Sequence, residues 1–135
     1  MVNDKNMNIS IDFFKDTLIE AIDAGIYEIS ICKEKQSKTL YIGESVFVLV
    51  RCATHLYKLK KYPEYFGFTE DTISDSNITL KFNLIEKINN NSLRKKREKE
   101  LIIEKKPLSQ SEVSDFQKNV EEKISSLKEF LDNIK

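Results

Sequence analysis

Two triplets of opposite order, Gly25-Ile26-Tyr27 and Tyr41-Ile42-Gly43, stand 13 residues apart, across positions 28–40. Ile26, Tyr27, Ile29 and Ile31 are β-prone and predict a strand from Gly25 to Cys32. Lys33 to Lys38 is polar and predicts a hairpin connection, with Thr39 to Ile42 returning antiparallel. Such a hairpin brings Tyr27 and Tyr41 close together. The next run, Val46-Phe47-Val48-Leu49-Val50, is β-branched, yet Ser45 can cap a helix, and Ala53, Leu56 and Leu59 continue at helical intervals. A helix is expected from about Ser45 to Lys60. Arg51 and His55 are four apart, so they share a face in a helix and equally in a strand.

Upstream, Ser10 suits an N-cap, Asp12 suits the first turn, and Phe14, Leu18, Ala21 and Ile22 recur at helical spacing, predicting an N-terminal helix that ends near Ala24. Downstream, Tyr62 to Ser76 contains Pro63, Gly67 and several acids and reads as a loop. Its aromatics Tyr62, Tyr65, Phe66 and Phe68 anchor it to the core or stack against bases. Ile78, Leu80, Phe82 and Leu84 alternate with polar residues, apart from Ile85, and predict a strand that Asn89-Asn90-Asn91 ends. Ser92 is the expected cap of a helix over Arg94 to Lys106, which Pro107 stops. Its Arg94-Lys95-Lys96-Arg97 run reads as a solvated face. From Ser111 to Lys135, Val113, Phe116, Val120, Ile124, Leu127, Leu131 and Ile134 form a long amphipathic stripe. The stripe either packs on its own domain or pairs with a second copy. We read it as the seam of a homodimer, which would place two sites on two strands.

A length of 135 residues with three glycines and two prolines suits one globular domain over 1–135. No apolar run spans a bilayer, and Met1 to Ser10 lacks an apolar stretch, so no membrane association and a cytoplasmic location are expected. Cys32 and Cys52 have neither disulfide-framework nor metal-ligand spacing and read as reduced thiols. Net charge is zero but unevenly spread: residues 51–107 carry 13 Lys/Arg and 8 Asp/Glu, an excess of five cations, and the remainder carries the opposite excess. A basic middle of this kind can face a polyanion.

Gly-rich phosphate loops, Cys/His metal clusters and serine-nucleophile motifs are all absent from the sequence. What remains is a set of oxygen and cation chemistry: Tyr27, Tyr41, Arg51, His55 and one acid. A tyrosine hydroxyl both donates and accepts but needs nearby cations to act as a base. Arg51 is a fixed fork suited to phosphate oxygens. In the helix before Pro107, Leu101 and Ile102 fall on either side of Glu98, while Glu100 and Glu104 point away. If Leu101 and Ile102 face the core, so does Glu98, and an inward carboxylate calls for a metal or an arginine. A surface pairing of Glu98 with a lysine is the alternative. One carboxylate can hold a hard cation such as Mg²⁺ with water and phosphate completing the shell. Together these groups suit phosphodiester hydrolysis.

In order and type these residues resemble the GIY-YIG nuclease family. Both namesake triplets are intact; Arg51 sits where the family has its catalytic arginine, and His55 matches a histidine of many members. Glu98, in the helix leading to Pro107, falls on the metal-ligand glutamate. Gln110 stands where many members carry asparagine, three residues after that proline. The resemblance covers about 24–110, leaving 111–135 as an added C-terminal helix. It implies an α+β fold, a small three-stranded antiparallel sheet flanked by helices. It further implies a Mg²⁺- or Mn²⁺-dependent endonuclease acting on DNA. Tyr27 would orient or deprotonate the attacking water, Tyr41 assist, Arg51 offset charge on the phosphate, and His55 aid proton transfer or bind phosphate. Glu98 would hold the metal, and Gln110 would brace the backbone or the glutamate. A rival with the same fold is a nucleic-acid-binding module with weak or no catalysis. A third reading is a protein–protein module built on the C-terminal helix.

Overall fold

A computed structural model of the chain describes residues 7–110 and 118–134. Among them a mixed sheet forms from β1 (Ser10–Phe13), β2 (Gly25–Lys33), β3 (Gln36–Ser45) and β4 (Thr79–Lys87), in the order β1-β4-β2-β3. The helices are α1 (Val48–Lys61), α2 (Glu70–Ile73), α3 (Asn91–Lys105) and α4 (Val120–Asp132). None is long and apolar enough to cross a membrane.

The architecture is α+β, but the sheet is not the three-stranded antiparallel one that the resemblance implies. β3, β2 and β4 do pair antiparallel, and β1 adds a fourth strand, parallel to β4. That strand occupies the start of the expected N-terminal helix. β4 has an edge whose backbone groups need partners, and Ser10 to Phe13 supplies them while Phe13 and Phe82 rings pack at 5.1 Å. Phe14 then turns with φ +55°, and only Glu20–Ile22 coils, as a 3₁₀ turn. The apparent helical stripe does not bury as one face: Phe14 and Ala21 are buried, but Leu18 and Ile22 are 50% and 53% exposed. A non-local ladder overrode a local period.

β2 and β3 join through a two-residue loop, Glu34-Lys35, with φ +53° and +67°, as hairpins with matched strand twist require. The strands therefore run closer to the turn than the polar stretch 33–38 predicts. Ile29 pairs with Tyr41 and Ser30 with Thr39, so Leu40 is the extra residue of a bulge. A second irregularity skips Ile85 between the pairs Tyr27–Leu84 and Ile26–Glu86. The break in alternation seen there is thus a real kink in the ladder.

The sheet buries both faces. One carries Tyr27, Ile29, Ile31, Tyr41, Leu80 and Phe82 against Val48, Cys52 and Leu59 of α1 and Leu127 of α4. The other holds a smaller cluster of Ile26 and Ile42 with Leu101 and Ile102 of α3. α1 starts at Val48, without a side-chain cap; the Ser45 hydroxyl instead accepts from the Phe47 amide at 3.0 Å. α3 is capped by Asn90, not Ser92, its Oδ1 accepting from the Leu93 amide at 2.9 Å. Nor is the basic run of α3 wholly solvated. Arg94 is 2% exposed; its Nε donates to Glu44 of β3 at 2.6 Å, and its Nη1 donates to the Ile88 and Asn89 carbonyls. That guanidinium ties the end of β4 and the start of α3 to β3, a buried charge kept in place by its partners.

Pro63–Phe66 forms a 3₁₀ turn inside the expected loop, and Phe66 and Phe68 anchor it in the core. α4 packs on this turn. Its Leu127 is buried, and Phe130 and Leu131 lie against the main core, so Leu127 and Leu131 of the C-terminal stripe pack on their own domain, whereas Val120 is exposed. The segment 111–117, including Val113 and Phe116 of that stripe, lies outside the described residues. Gly67 ends the turn at φ +90°, and a Cβ there would collide with the Lys123 carbonyl of α4. Gly67→Ala therefore combines a left-handed backbone with a clash and is expected to cost about 2 kcal/mol or more in urea denaturation. A loss under about 0.5 kcal/mol would show that α4 does not sit on Gly67.

Candidate active site

Tyr27 lies on β2 and pairs across the ladder with Gly43 of β3. Its ring fills the space that a side chain would take. A Cβ on Gly43 would overlap the Tyr27 hydroxyl and Cζ. The glycine of the second triplet is therefore the floor on which the tyrosine of the first one lies. Tyr41, two residues earlier on β3, stacks beside it, with centroids 6.2 Å apart and planes 19° from parallel.

α1 crosses this face and brings His55 down onto both rings, with centroids 5.7 Å from Tyr27 and 4.8 Å from Tyr41. His55 is 1% exposed, and both its nitrogens are engaged. Nε2 is 2.7 Å from the Tyr27 hydroxyl, and Nδ1 is 2.8 Å from the hydroxyl of Tyr65, on the 3₁₀ turn. One turn earlier on α1, Arg51 is exposed at the surface, and its positive charge acts on the hydroxyls of Tyr27 and Tyr41. Lys58 and Lys123 stand over the Tyr65 ring at 5.6 and 5.1 Å, and Lys123 Nζ donates to the Tyr65 carbonyl at 2.8 Å.

Burial sets the protonation states here. It pushes the Tyr27 hydroxyl far above its ordinary value; Tyr41 and Cys52 add to this, and Arg51 opposes it. Tyr41 is pushed up to about 12, first by burial, then by Tyr65 and Glu98, with Arg51 again opposing. Burial, followed by Arg51, Lys58 and Lys123, pushes His55 down to about 3. The tyrosines keep their protons and His55 stays neutral at pH 7. Cys52, buried beside them, is raised by the same desolvation and stays a thiol.

Glu98 of α3 is 7% exposed, and its charge is felt at Tyr41. It lies one turn before Leu101 and Ile102, which pack into the second core cluster. Among the described residues no three His, Cys, Asp or Glu side chains converge. Glu98 is thus the buried carboxylate whose charge bears on this group of side chains. That fits a hard cation such as Mg²⁺ or Mn²⁺, which takes few protein ligands and completes its shell with water and phosphate oxygens.

Gln110 is fully buried, and it braces β3 rather than the glutamate. Its Oε1 accepts from the Ile42 amide at 2.8 Å, and its Nε2 donates to the Ile42 carbonyl at 2.7 Å. The Leu108 and Ser109 amides donate to the Thr39 and Leu40 carbonyls, so the segment after Pro107 lines the edge of β3. The residues read from the sequence are thus placed in three tiers. Tyr27, Tyr41, Arg51 and His55 touch one another; Glu98 adjoins them at Tyr41; Gln110 acts on the backbone next to Tyr41. Sequence reasoning took Tyr65 for a loop anchor or a stacking ring and missed its bond to His55, ten residues away in an irregular turn, where no period links them. It also passed over the steric need for Gly43. No family model, curated protein or solved structure matches this chain.

Two expectations follow from these bonds. Gln110→Ala leaves the buried Ile42 N–H and C=O without partners and is expected to cost about 2–4 kcal/mol in chemical denaturation. A neutral result would mean that the edge of β3 finds other partners. Unfolded His55 takes up a proton as pH falls through 6.5, whereas the folded group stays neutral to about 3. Stability contributed by His55 is therefore complete above 6.5 and falls with pH below it, by at most ~1.4 kcal/mol per pH unit. Urea denaturation of wild type and His55→Gln between pH 6.5 and 4.5 is expected to show a shallower pH slope in the variant; equal slopes refute the neutral buried imidazole.

Proposed function

We propose that the protein is a metal-dependent endonuclease that hydrolyses DNA phosphodiester bonds, in the manner of the GIY-YIG nucleases its sequence resembles. The observation that carries this reading is the convergence of Tyr27, Tyr41, Arg51 and His55, with the buried Glu98 adjoining at Tyr41.

Arg51 is exposed beside two buried hydroxyls, which suits a guanidinium that binds a phosphate and offsets the charge developing on its oxygens. Tyr27 retains its proton at neutral pH, which supports orienting the attacking water over acting as a preformed phenolate base. Tyr41 offers a second hydroxyl next to Arg51 and Glu98. His55 is buried beneath the tyrosines, which supports a role on Tyr27 over one on the phosphate. Glu98 would hold a divalent cation, which when bound polarises the phosphate and stabilises the leaving oxygen. The exposed Lys58, Lys60 and Lys61 of α1, and Lys95, Lys96 and Lys99 of α3, offer charge for the flanking backbone.

Both polar ends of Gln110 are taken up by Ile42, which supports a second reading, a module that binds nucleic acid without cutting it. Incubation with supercoiled plasmid separates the two. The nuclease reading expects nicked and linear products in Mg²⁺ or Mn²⁺ and none with chelator. Arg51→Ala and Glu98→Ala are each expected to lower the rate roughly a hundredfold or more. Salt-sensitive binding with intact plasmid supports the second reading. Cleavage unchanged in either variant removes the assigned roles.

A further inference from the structure

The bond at Nδ1 of His55 has no part in the roles assigned so far. A neutral imidazole has one donor and one acceptor nitrogen. Here both face hydroxyls, Tyr27 at Nε2 and Tyr65 at Nδ1, so the direction of one bond fixes the direction of the other.

Which direction holds follows from the accounts of Tyr27. Its hydroxyl is buried; His55 is its hydrogen-bond partner among the described residues, and the Arg51 guanidinium acts on it by charge. A guanidinium only donates. The Tyr27 proton therefore has one acceptor available, Nε2. Were Nε2 itself protonated, the Tyr27 oxygen would accept from it while, in the substrate-free site, its own buried proton found no protein acceptor, a costly arrangement. Nε2 is thus the acceptor and the proton sits on Nδ1, from which it is donated to the Tyr65 oxygen. Tyr65 is in turn held on its 3₁₀ turn by Lys123 of α4, through the bond to its carbonyl.

We propose that Tyr65 is a positioning residue that holds His55 in its Nδ1–H tautomer and thereby aims the Tyr27 hydroxyl proton inward, away from the attacking water. The consequence for catalysis rests on the nuclease reading; the tautomer itself does not. With its proton directed at Nε2, the Tyr27 oxygen meets water as an acceptor. The water then points a hydrogen at Tyr27 and keeps a lone pair for phosphorus. In the opposite tautomer Tyr27 would donate to the water and occupy the lone pair that must attack.

His55 is the sole histidine of the chain, so its tautomer can be read directly. The measurement is a long-range ¹H–¹⁵N correlation spectrum of the uniformly ¹⁵N-labelled full chain at pH 7. The expected wild-type pattern is neutral, with Nδ1 protonated and Nε2 bare. Tyr65→Phe is expected to give a mixture or the Nε2–H form. In the plasmid assay it is expected to lower kcat on the order of tenfold to a hundredfold with KM nearly unchanged. An Nε2–H wild type overturns the proposal without any variant, so a Tyr65→Phe protein that fails to fold does not shelter it. An unaltered Nδ1–H pattern in a folded Tyr65→Phe also overturns it, even if its rate falls. If wild type cuts no DNA, the nuclease reading fails by itself, and the spectra still decide whether Tyr65 sets the tautomer.

Discussion

The tyrosine ring of β2 lying on a bare glycine of β3 is the contact from which the rest of the site is built. Only because Gly43 has no side chain can Tyr27 lie flat across the ladder, with Tyr41 stacked alongside. That leaves an aromatic floor with two hydroxyls in reach of one helix. α1 closes over it and commits His55 to the interior, where Nε2 takes the nearer hydroxyl. The same helix leaves Arg51 at the surface one turn away, so a single element supplies a buried neutral group and an exposed cation.

The electrostatics of the pocket favour uncharged forms wherever burial is deep. Desolvation raises both tyrosines and lowers the histidine, and the cations Arg51, Lys58 and Lys123 reinforce the second effect. Arg51 pulls the other way on the tyrosines without overcoming burial. Such a site works by the direction of its hydrogen bonds more than by standing charges, and a tautomer can matter as much as a pKa. Charge is kept at the margins: on the exposed Arg51 guanidinium, on Lys58 and Lys123 over the Tyr65 ring, and on the Glu98 carboxylate of the helix that packs the opposite face of the sheet.

Support for the site comes from elements that do not enter it. Arg94 fastens α3 to β3 through Glu44 and to the end of β4 through two carbonyls. Gln110 clamps Ile42, the residue between Tyr41 and Gly43, through both of its backbone groups. α4 presses the turn bearing Tyr65 against the core, with Gly67 permitting the approach. Each is a polar or steric constraint on backbone position, and each holds a ring or hydroxyl in place indirectly.

Short-range pattern was enough for the hairpin of β2 and β3, for β4, for α1 and for the inward side of α3, because alternation and helical spacing are set by which face each element buries. It was enough to pair Tyr27 with Tyr41 through the hairpin and to put Arg51 and His55 on one face of α1; the docking of α1 on the sheet joins the two pairs. It misled over residues 10–24, where a helical period lost to the open edge of β4, and at Ser45 and Ser92, where neighbouring geometry decided the caps. Arg94 read as a surface charge because burial of a cation depends on partners 5 to 50 residues away. The residues themselves therefore determined the chemistry available to this chain, and the strands and helix faces that carry it. Only the tertiary structure decided that His55 is sealed from solvent and neutral, that Tyr65 closes the chain of hydroxyls, and that Gln110 holds a strand. Those outcomes depend on desolvation and on contacts between distant segments, neither of which has a period that sequence can display.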